Sequence, residues 1–411
     1  MIEWSEQQVM VRDSIRKFIE AEIVPNLEAL EHGDLPPYDI LRKMLRTFGI
    51  DEMNRQRFRR QIERHEATAR DARSAAKPRG EFEGSTDSAA LQLLPIIELC
   101  RYCPGMVTAM GVSLGLAAVA VMSKGTLRQK QRWGEGLMTL EKIGAWAITE
   151  PGSGSDAFGS MKSSARRDGD HYVLNGQKTF ITNGPYADVM IFICKLDEPG
   201  VAAKDRKVLT FVLENGTAGL TQSKPLRKMG LHSSPTGELF LEDVRVPKEQ
   251  LLGETEDTPS REGAKETFSI ERTGVAAMAL GIIERALEMA LRYARERVQF
   301  GRPIGEFQLI QEKLARMEVA RLNVQNLVFR TVECASRGRM MTLSEASAMK
   351  LYSARAAFEV ANDALQVFGG NGYMAEFGIE QLVRDARVLQ IYAGTDEIQI
   401  SAIARDLLAR A

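Results

Sequence analysis

The chain has 411 residues, of which 44% are hydrophobic and 27% are charged, and its formal net charge is −1 at pH 7. This length and composition are typical of a globular protein with two or three packed units. A chain that is almost neutral has no global attraction to nucleic acid or to an anionic membrane, so we expect neither as a partner.

The N-terminal residues and the cysteines indicate the compartment. Residues 1–20 alternate apolar and charged residues; they lack the apolar segment of a signal peptide and are too acidic for a transit peptide. No apolar stretch is expected to be long and uncharged enough to span a bilayer. Cys100 and Cys103 form one CxxC without a second pair, so buried free thiols are favoured over a disulfide, and the four histidines have no metal-binding spacing. We therefore expect a cytoplasmic protein without a structural metal.

The first 145 residues have mostly helical periodicity. Apolar residues recur at i, i+3 and i+4 in "IEWSEQQVMVRDSIRKFIEAEI" and "DILRKMLRTFGI". The segment "VTAMGVSLGLAAVAVMSKG" is apolar nearly all round, which predicts a buried helix. Residues 53–88 are charged, basic at the start and rich in small polar residues at the end. We interpret them as a solvated helix that runs into a mobile loop, with an arm for docking a partner as the alternative.

From about residue 146 to residue 258 the apolar period changes to two. The segment "HYVLNGQKTFITNG" predicts two strands joined at Asn175 and Gly176, because Asn-Gly suits the positive φ angles of a type I′ turn. The segments "DVMIFICKL", "KVLTFVLENG" and "GELFLEDVRVP" predict further strands, separated by Gly, Asn and Pro. These strands predict a small antiparallel sheet or barrel.

Beyond about residue 259, four long amphipathic segments joined by short connections predict a helical bundle. The expected fold class is therefore α+β with several domains. These are an N-terminal helical domain over residues 1–145 that contains the charged insert 53–88, a middle antiparallel β-barrel over 146–258, and a C-terminal four-helix bundle over 259–411.

Two segments of the sheet region carry candidate ligand contacts. In "AITEPGSGSD", residues 147–156, Thr149 and Ser155 offer hydroxyls, and the glycines allow backbone N–H groups to approach a ligand. A simple turn would also need Pro and Gly, and the segment is neither a GxGxxG followed by a helix nor a P-loop. In "KTFITNG", Phe180 and Thr182 share one face of a strand, where a ring and a hydroxyl can cover a flat heterocycle. A half-buried strand with a core phenylalanine is the alternative.

Three segments of the helical C-terminal part are also rich in turn residues. In "RERVQFGRPIGEFQ", Arg297 and Gln299 could contact a phosphate or an amide, or the cation could simply oppose the helix dipole. The segment "LQVFGGNGY" has three glycines in five positions, more than a helix cap needs. The segment "IYAGTDEI" is another glycine turn that leads into a helix at Thr395.

In this order, the five segments resemble the acyl-CoA dehydrogenase family of flavoenzymes over almost the whole chain. The resemblance implies an acyl-CoA substrate of fatty acid or branched-chain metabolism, and FAD bound between barrel and bundle with its adenosine end reaching a neighbouring subunit. It also implies a homotetramer and electron-transferring flavoprotein as the electron acceptor.

The family motifs assign roles to individual positions, with the Thr182 hydroxyl expected near flavin N5. The residues that the resemblance places at FAD are Trp146, Ile148, Thr149, Ser155, Phe180, Ile181, Thr182, Arg297, Gln299, Phe300, Gln308, Gln366, Gly369, Gly370, Thr395 and Glu397. Those that it places along the acyl-CoA path are Ser155, Ser269, Arg272, Ala393 and Gly394.

The sequence departs from the commonest family pattern at the catalytic base. Many members have a glutamate just before the Gly-Thr of the last turn, but Ala393 stands there and cannot accept a proton. In the isovaleryl-CoA and long-chain branches the base precedes the arginine of the first bundle helix, and "SIER" places Glu271 before Arg272 in that way. The resemblance implies that Glu271 removes the α-proton while the β-hydrogen leaves as hydride to flavin N5, giving trans-2-enoyl-CoA. The backbone N–H at position 393 would stabilise the thioester oxygen.

Three alternatives remain open from the sequence. Glu271 could be a helix-end carboxylate paired with nearby cations. The enzyme could be an acyl-CoA oxidase or a flavin monooxygenase of the same fold. The chain could also be a catalytically silent FAD-binding scaffold.

Overall fold

The computed structural model describes residues 3–32, 35–70, 86–257, 260–339 and 341–410. Helices come first along the chain, strands follow, and long helices return, which confirms the expected α+β fold class. The helices are α1 (Glu6–Phe18), α2 (Leu27–His32), α3 (Tyr38–Thr47), α4 (Ile50–Arg70), α5 (Thr86–Cys100), α6 (Pro104–Gly111), α7 (Ala118–Lys124), α8 (Leu127–Gln129), α9 (Glu135–Met138), α10 (Ser260–Glu296), α11 (Gln308–Ser336), α12 (Leu343–Phe368), α13 (Ile379–Val388) and α14 (Asp396–Arg410). The strands are β1 (Gly144–Ala147), β2 (Ser164–Asp168), β3 (His171–Thr182), β4 (Val189–Leu196), β5 (Val208–Glu214), β6 (Leu220–Gln222), β7 (Thr236–Pro247), β8 (Val298–Gln299) and β9 (Arg302–Pro303).

The charged insert forms a helix in its described part. Helix α4 covers residues 50–70 and is mostly exposed, as the sequence predicted, and the rest of the predicted loop, residues 71–85, lies outside the described residues. Phe58 is buried, and Arg55 forms salt bridges with Glu135 at 3.0 Å and with Glu141 at 2.6 Å. These contacts dock the helix on the N-terminal part of the chain.

The apolar segment before the sheet is helical from Pro104 to Lys124, with a π-helical turn over Val112–Ala117 between α6 and α7. By length and composition this segment could cross a membrane, so the expectation that no stretch is long enough was wrong. The prediction failed because the segment has small residues throughout and no acidic residue that would interrupt it. It packs on the sheet, where Ser113 Oγ accepts a hydrogen bond from the Gly144 N–H at 2.8 Å.

The sheet is mixed, which corrects the prediction of a purely antiparallel one. Strand β4 pairs in parallel with β1 and with β2 along one edge, and antiparallel with β5 along the other. The order continues from β2 through β3 and β7 to β6 with antiparallel pairs. Strands β1, β2 and β4 run in the same direction, and β3 runs in the opposite direction between β2 and β4 in the chain. Every residue of β4 is buried, which identifies it as the centre of the sheet.

Asn175 and Gly176 do not form the predicted hairpin turn. Strand β3 continues through them, with a register shift against β7 between Leu174 and Gly176. The φ of Gly176 is 152°, and a β-carbon at this position would overlap the Ser163 side chain. The Asn175 side chain accepts a hydrogen bond from the Asp243 N–H at 2.8 Å. The two residues therefore form a β-bulge, and the Asn-Gly pair suits a bulge as well as a turn.

Asn183, just after β3, joins the sheet to the N-terminal helices. It is fully buried, and its Nδ2 donates to the carbonyl oxygens of Ala109 and Gly144, both at 2.9 Å. Its Oδ1 accepts a hydrogen bond from the Tyr38 hydroxyl at 3.0 Å. The end of β3 is thus held by three separate parts of the chain.

The predicted bundle consists of α10, α11, α12 and α14, with α13 packed on α10 and α12. Helix α12 packs on the other three helices of the bundle, and α10 also packs on α5 of the N-terminal part. The approach is close at Gly281, where a β-carbon would overlap the Ile97 carbonyl and lie 2.8 Å from Cys100 Cβ. The four cysteines are free and buried, as the sequence favoured.

Two glycines of α10 offer a matched test of this packing. Gly281→Ala should lower the free energy of unfolding by about 1–3 kcal/mol, because the added methyl overpacks the contact with α5. Gly274→Ala should raise it by about 0.5–1 kcal/mol, because a β-carbon at that position has no atom within 4 Å and alanine favours the helix. Chemical unfolding of both variants measures the difference, and equal midpoints would contradict the close approach.

Candidate active site

Glu271 lies well inside helix α10, eleven residues after Ser260, so it is not a helix-end carboxylate. Its side chain is half-buried, and no described residue donates a hydrogen bond to its carboxylate or forms a salt bridge with it. Burial raises the pKa of Glu271 to about 7, which the charges of Arg272 and Lys350 offset only in part. This carboxylate can accept or release a proton near neutral pH.

The neighbouring cation, Arg272, has other contacts. Its guanidinium is buried, and Nη1 donates to Ser347 Oγ of α12 at 2.7 Å. A β-carbon at Gly394 would lie 3.6 Å from Arg272 Nη2, so the guanidinium also packs against the turn before α14. No hydrogen bond joins Glu271 and Arg272 in the described structure. The two residues are therefore not an ordinary hydrogen-bonded ion pair.

The turn before α14 has a left-handed backbone at two successive residues. The φ angles of Ala393 and Gly394 are 53° and 87°, and for an alanine this conformation costs free energy. Gln399 Nε2 donates to the carbonyl oxygens of both residues, at 3.0 and 2.7 Å, and Lys350 Nζ donates to that of Gly394 at 2.8 Å. The N–H groups of Ala393, Gly394 and Thr395 donate to no atom of the described chain. Such free donors are suited to binding a carbonyl oxygen or a developing oxyanion.

Sequence reasoning missed the two side chains that hold this turn, Lys350 and Gln399. Both are completely buried. Burial lowers the pKa of Lys350 to about 8, and the Asp396 carboxylate, 3.9 Å from Nζ, opposes that change. A lysine within the small and apolar residues of "ASAMKLYSA" was the available signal, because lysine is rarely buried unless it is paired.

Apolar side chains lie further along the face of α10 that carries Glu271. Met278 is seven residues further along α10 and therefore on the same face of the helix. The Tyr392 hydroxyl donates to Met278 Sδ at 3.3 Å. Burial raises the pKa of Tyr392, so it stays neutral. The face of α10 that carries Glu271 therefore continues into an apolar cluster.

The two predicted cofactor segments of the sheet lie side by side. The Thr179 N–H donates to the Thr149 carbonyl at 2.9 Å. Phe180 has a φ of 57°, and its side chain is 68% exposed, whereas Ile181 is buried. Thr182 is half-buried, and a register shift of β3 against β7 lies between Lys178 and Ile181.

The remaining residues of the first segment differ in exposure. Trp146 and Ile148 are half-buried, and Ser155 is exposed on the loop that follows. A β-carbon at Gly152 or Gly154 would have no atom within 4 Å, so this loop leaves open space above its backbone.

A buried ion pair lies beneath these two segments. Lys178 Nζ donates to Glu150 Oε1 at 2.8 Å and to the Ile148 carbonyl at 3.0 Å. The Glu150 carboxylate also accepts the N–H groups of Lys162 and Ser163, at 2.6 and 2.9 Å. Burial alone would raise the pKa of Glu150, but these hydrogen bonds hold it below its usual value. The pair fixes the first segment to the second.

The predicted phosphate and adenosine contacts lie together at the other end of the bundle. Arg297, Gln299, Phe300 and Gln308 are exposed on or near the β8–β9 hairpin. Gln366, Gly369 and Gly370 are exposed at the end of α12. The two groups are joined at Tyr293, whose ring stacks on Phe368 at 4.1 Å and whose hydroxyl accepts a hydrogen bond from Asn371 Nδ2 at 3.0 Å.

This second group is far from Glu271 within one chain. Arg297 follows Glu271 by 26 residues along the same long helix, which corresponds to roughly 39 Å at 1.5 Å per residue. The predicted residues thus include a first group at Glu271 and the turn before α14, the two sheet segments, and a separate group around Arg297. Thr395 and Glu397 belong to the turn of the first group, and the side chain of Ser269 lies outside the described residues.

Comparisons with known proteins identify the class of protein that this fold and site define. Residues 145–244 match the family "Acyl-CoA dehydrogenase, middle domain", and residues 262–408 match "Acyl-CoA dehydrogenase, C-terminal domain". An acyl-CoA dehydrogenase of Bacillus subtilis is 35% identical, with 98% of each chain covered. A 3-(aryl)acrylate reductase of Clostridium sporogenes is 36% identical, with 98% of this chain and 99% of the relative covered.

Solved structures give the same result. An acyl-CoA dehydrogenase from Geobacillus kaustophilus has a TM-score of 0.84 and 32% identity, with 98% of each chain covered. A Bacillus anthracis acyl-CoA dehydrogenase complexed with FAD has a TM-score of 0.77 and 30% identity, covering 99% of this chain and 68% of that one. A structure described with the electron-transferring flavoprotein of Acidaminococcus fermentans has a TM-score of 0.80 and 31% identity, with 99% of each chain covered.

The chain therefore belongs to the acyl-CoA dehydrogenase family and is a flavin-dependent acyl-CoA dehydrogenase. Membership of this family implies FAD as the cofactor.

The Lys178–Glu150 pair can be tested by a double-mutant cycle. Lys178→Met should lower the free energy of unfolding by about 3 kcal/mol or more, because it leaves a buried carboxylate without its cation. Lys178→Met combined with Glu150→Gln should cost less than the two single changes added together. The exposed pair Lys248–Asp170 provides the control, and Lys248→Met should leave the unfolding midpoint unchanged. Additive effects at Lys178 and Glu150 would show that the two are not coupled.

Proposed function

We propose that the protein oxidises an acyl-CoA thioester to the trans-2-enoyl-CoA, with FAD as the electron acceptor and Glu271 as the base. The observation that carries this proposal is the half-buried Glu271 carboxylate, which lacks a hydrogen-bond partner among the described residues and has a pKa raised by burial to about 7. A carboxylate that is poised in this way can remove a proton near neutral pH.

The residues at the sheet fit a flat cofactor. The exposed phenyl ring of Phe180, held outward by its left-handed backbone, can cover an isoalloxazine ring, and the Thr149 and Thr182 hydroxyls can meet its polar edge. Trp146, Ile148, Ile181 and Ser155 complete this contact in our proposal. When bound, FAD supplies a two-electron acceptor for the β-hydrogen of the substrate.

The chain's own groups account for the proton transfer. The α-proton moves to the Glu271 carboxylate, and the charge that develops on the thioester oxygen meets the free N–H of Ala393. Removing one such donor typically costs about 3 kcal/mol of transition-state stabilisation. Arg272 stays positively charged nearby while negative charge moves from the base to the substrate. Gly394 allows the substrate to approach the turn closely, and Ser155 and Ser269 lie along the proposed acyl-CoA path.

The roughly 39 Å between Glu271 and Arg297 supports a site shared between subunits. In our proposal Arg297, Gln299, Phe300, Gln308, Gln366, Gly369 and Gly370 bind the pyrophosphate and adenosine of FAD held by a neighbouring copy, and Thr395 and Glu397 close the site. Phe300 and Leu309 are 94% and 81% exposed in the single chain, which also favours burial against a second copy. We propose a homotetramer, as the family resemblance implies.

The substrate class is proposed at the level of an acyl-CoA. The Met278 side chain and the Tyr392 ring, which belong to one apolar cluster, favour an acyl chain over a polar group. Fatty acid or branched-chain acyl-CoA metabolism, electron-transferring flavoprotein as acceptor and a cytoplasmic location follow from the family resemblance.

Replacement of Glu271 tests the base. Glu271→Gln keeps the side-chain shape but removes the proton acceptor, so the anaerobic rate of flavin reduction by acyl-CoA should fall by roughly 10³-fold or more. FAD content and oligomeric state should stay unchanged. Glu288→Gln, on the same helix but more exposed, should reduce flavin at the wild-type rate. Activity of Glu271→Gln within tenfold of wild type would eliminate Glu271 as the base.

Oxygen reactivity separates the dehydrogenase from the related alternatives. We expect anaerobic acyl-CoA to bleach the flavin, with electrons passing to electron-transferring flavoprotein and little peroxide formed in air. Peroxide production at a rate near turnover would instead indicate an acyl-CoA oxidase. Tight FAD binding without bleaching by any member of an acyl-CoA panel would indicate a silent scaffold.

A further inference from the structure

Lys350 is a buried cation that the proposed proton transfer does not yet use. It lies on α12 with no exposed side-chain surface, one turn after Ser347, which binds Arg272. Burying an ammonium group costs free energy, because the group loses its hydration. An apolar residue would fill this helix face without that cost. The lysine is therefore better explained by what its charge and its N–H groups contact.

The first contact is the turn that carries the free N–H donors. Lys350 Nζ donates to the Gly394 carbonyl at 2.8 Å, and Gln399 Nε2 donates to the same oxygen and to that of Ala393. The two side chains thus draw both carbonyls to one side of the turn. Because Ala393 is left-handed, this conformation needs such support. The N–H groups remain free for a ligand.

The second contact is electrostatic and involves Glu271. The charged groups that face Lys350 are Glu271 and Arg272 from α10 and Asp396 and Glu397 from α14. Asp396 is already shared, since its Oδ2 accepts a hydrogen bond from Arg355 at 2.8 Å. The groups that act on Glu271 itself are the cations of Arg272 and Lys350, together with the neutral Tyr392 beside it. Without the Lys350 charge, Arg272 would be the remaining cation that offsets the rise in the pKa of Glu271 caused by burial.

We propose that Lys350 is a positioning residue for the α-proton transfer, which holds the Ala393–Thr395 turn in its donor conformation and contributes a positive charge to the surroundings of Glu271. This inference rests on the proposed function. It assigns one side chain two separable effects, a hydrogen bond to the turn and a charge beside the base.

Three substitutions separate the two effects. Lys350→Gln keeps a donor for the Gly394 carbonyl but removes the charge, Lys350→Arg keeps the charge, and Lys350→Met removes both. Lys130→Met is the matched control, because Lys130 is also buried but contacts His65 in the N-terminal part of the chain. All variants are measured as FAD-loaded holoenzymes, so a variant that fails to fold is recognised by its FAD content.

The readouts are the rate of anaerobic flavin reduction as a function of pH and the binding of a non-reacting 3-thia-acyl-CoA. In the wild type the rate should rise with pH through about 7, as Glu271 loses its proton. In Lys350→Gln and Lys350→Met this rise should move up by about one pH unit, because an opposite charge has been removed from the base. In Lys350→Arg it should stay within half a unit of wild type.

The hydrogen-bond effect should appear in the plateau rate and in binding. Lys350→Met should lower the plateau rate by at least tenfold and weaken binding of the thia analogue, because the turn no longer presents its donors correctly. Lys350→Gln should retain more of both than Lys350→Met. The double variant Glu271→Gln/Lys350→Met has no titrating base. It should show the same loss of analogue binding as Lys350→Met alone.

The outcomes distinguish this inference from the function on which it rests. A Glu271→Gln variant that keeps its activity would overturn the proposed base whatever Lys350 does. An inactive Glu271→Gln together with Lys350 variants that match Lys130→Met in pH dependence, plateau rate and analogue binding would overturn the role of Lys350 alone. If Lys350→Met does not retain FAD, Lys350→Gln and Lys350→Arg are compared instead. An equal pH dependence of these two variants would overturn the role of the Lys350 charge.

Discussion

The site depends on a half-buried carboxylate whose pKa is influenced by two buried cations. Glu271 lies inside a long helix, where burial raises its pKa to about 7, and Arg272 and Lys350 keep that rise from being larger. A carboxylate in water would be too weak a base for a thioester α-proton, and one locked in a strong ion pair would be weaker still. The structure gives Glu271 neighbouring charges without a hydrogen-bonded partner among the described residues.

The turn before α14 complements this charge. It places left-handed residues at Ala393 and Gly394, and its carbonyls are bound by side chains from α12 and α14. Its N–H groups donate to no atom of the described chain, so an alanine at this position can still offer a donor through its backbone. In our proposal Ala393 and Glu271 therefore form a consistent pair, in which Glu271 supplies the base and the Ala393 backbone supplies a donor.

In our proposal the sheet provides a second side of the site, and buried polar groups also support it. The Lys178–Glu150 pair and the Asn183 hydrogen bonds anchor the two segments whose outward residues, Thr149, Phe180 and Thr182, are proposed to meet the flavin. Buried polar groups of this kind must be fully satisfied, and they then fix one geometry. The buried residues hold the strand and loop beneath the exposed residues in one position. In our proposal this keeps the exposed residues directed at the cofactor.

Local patterns in the sequence determined the succession of helices, strands and helices, because hydrophobic periodicity is a property of neighbouring residues. The family motifs also identified Glu271, Arg272 and the sheet segments as candidates. The tertiary structure decided what local patterns cannot express. Asn175 and Gly176 are equally suited to a turn or a bulge, and the pairing of β3 with β7 on both sides of them selects the bulge. Lys350 resembles any helical lysine until α10, α12 and α14 pack together, because its role depends on residues 44 positions away in the chain. Burial, and with it the pKa of Glu271, exists only once those helices exclude water.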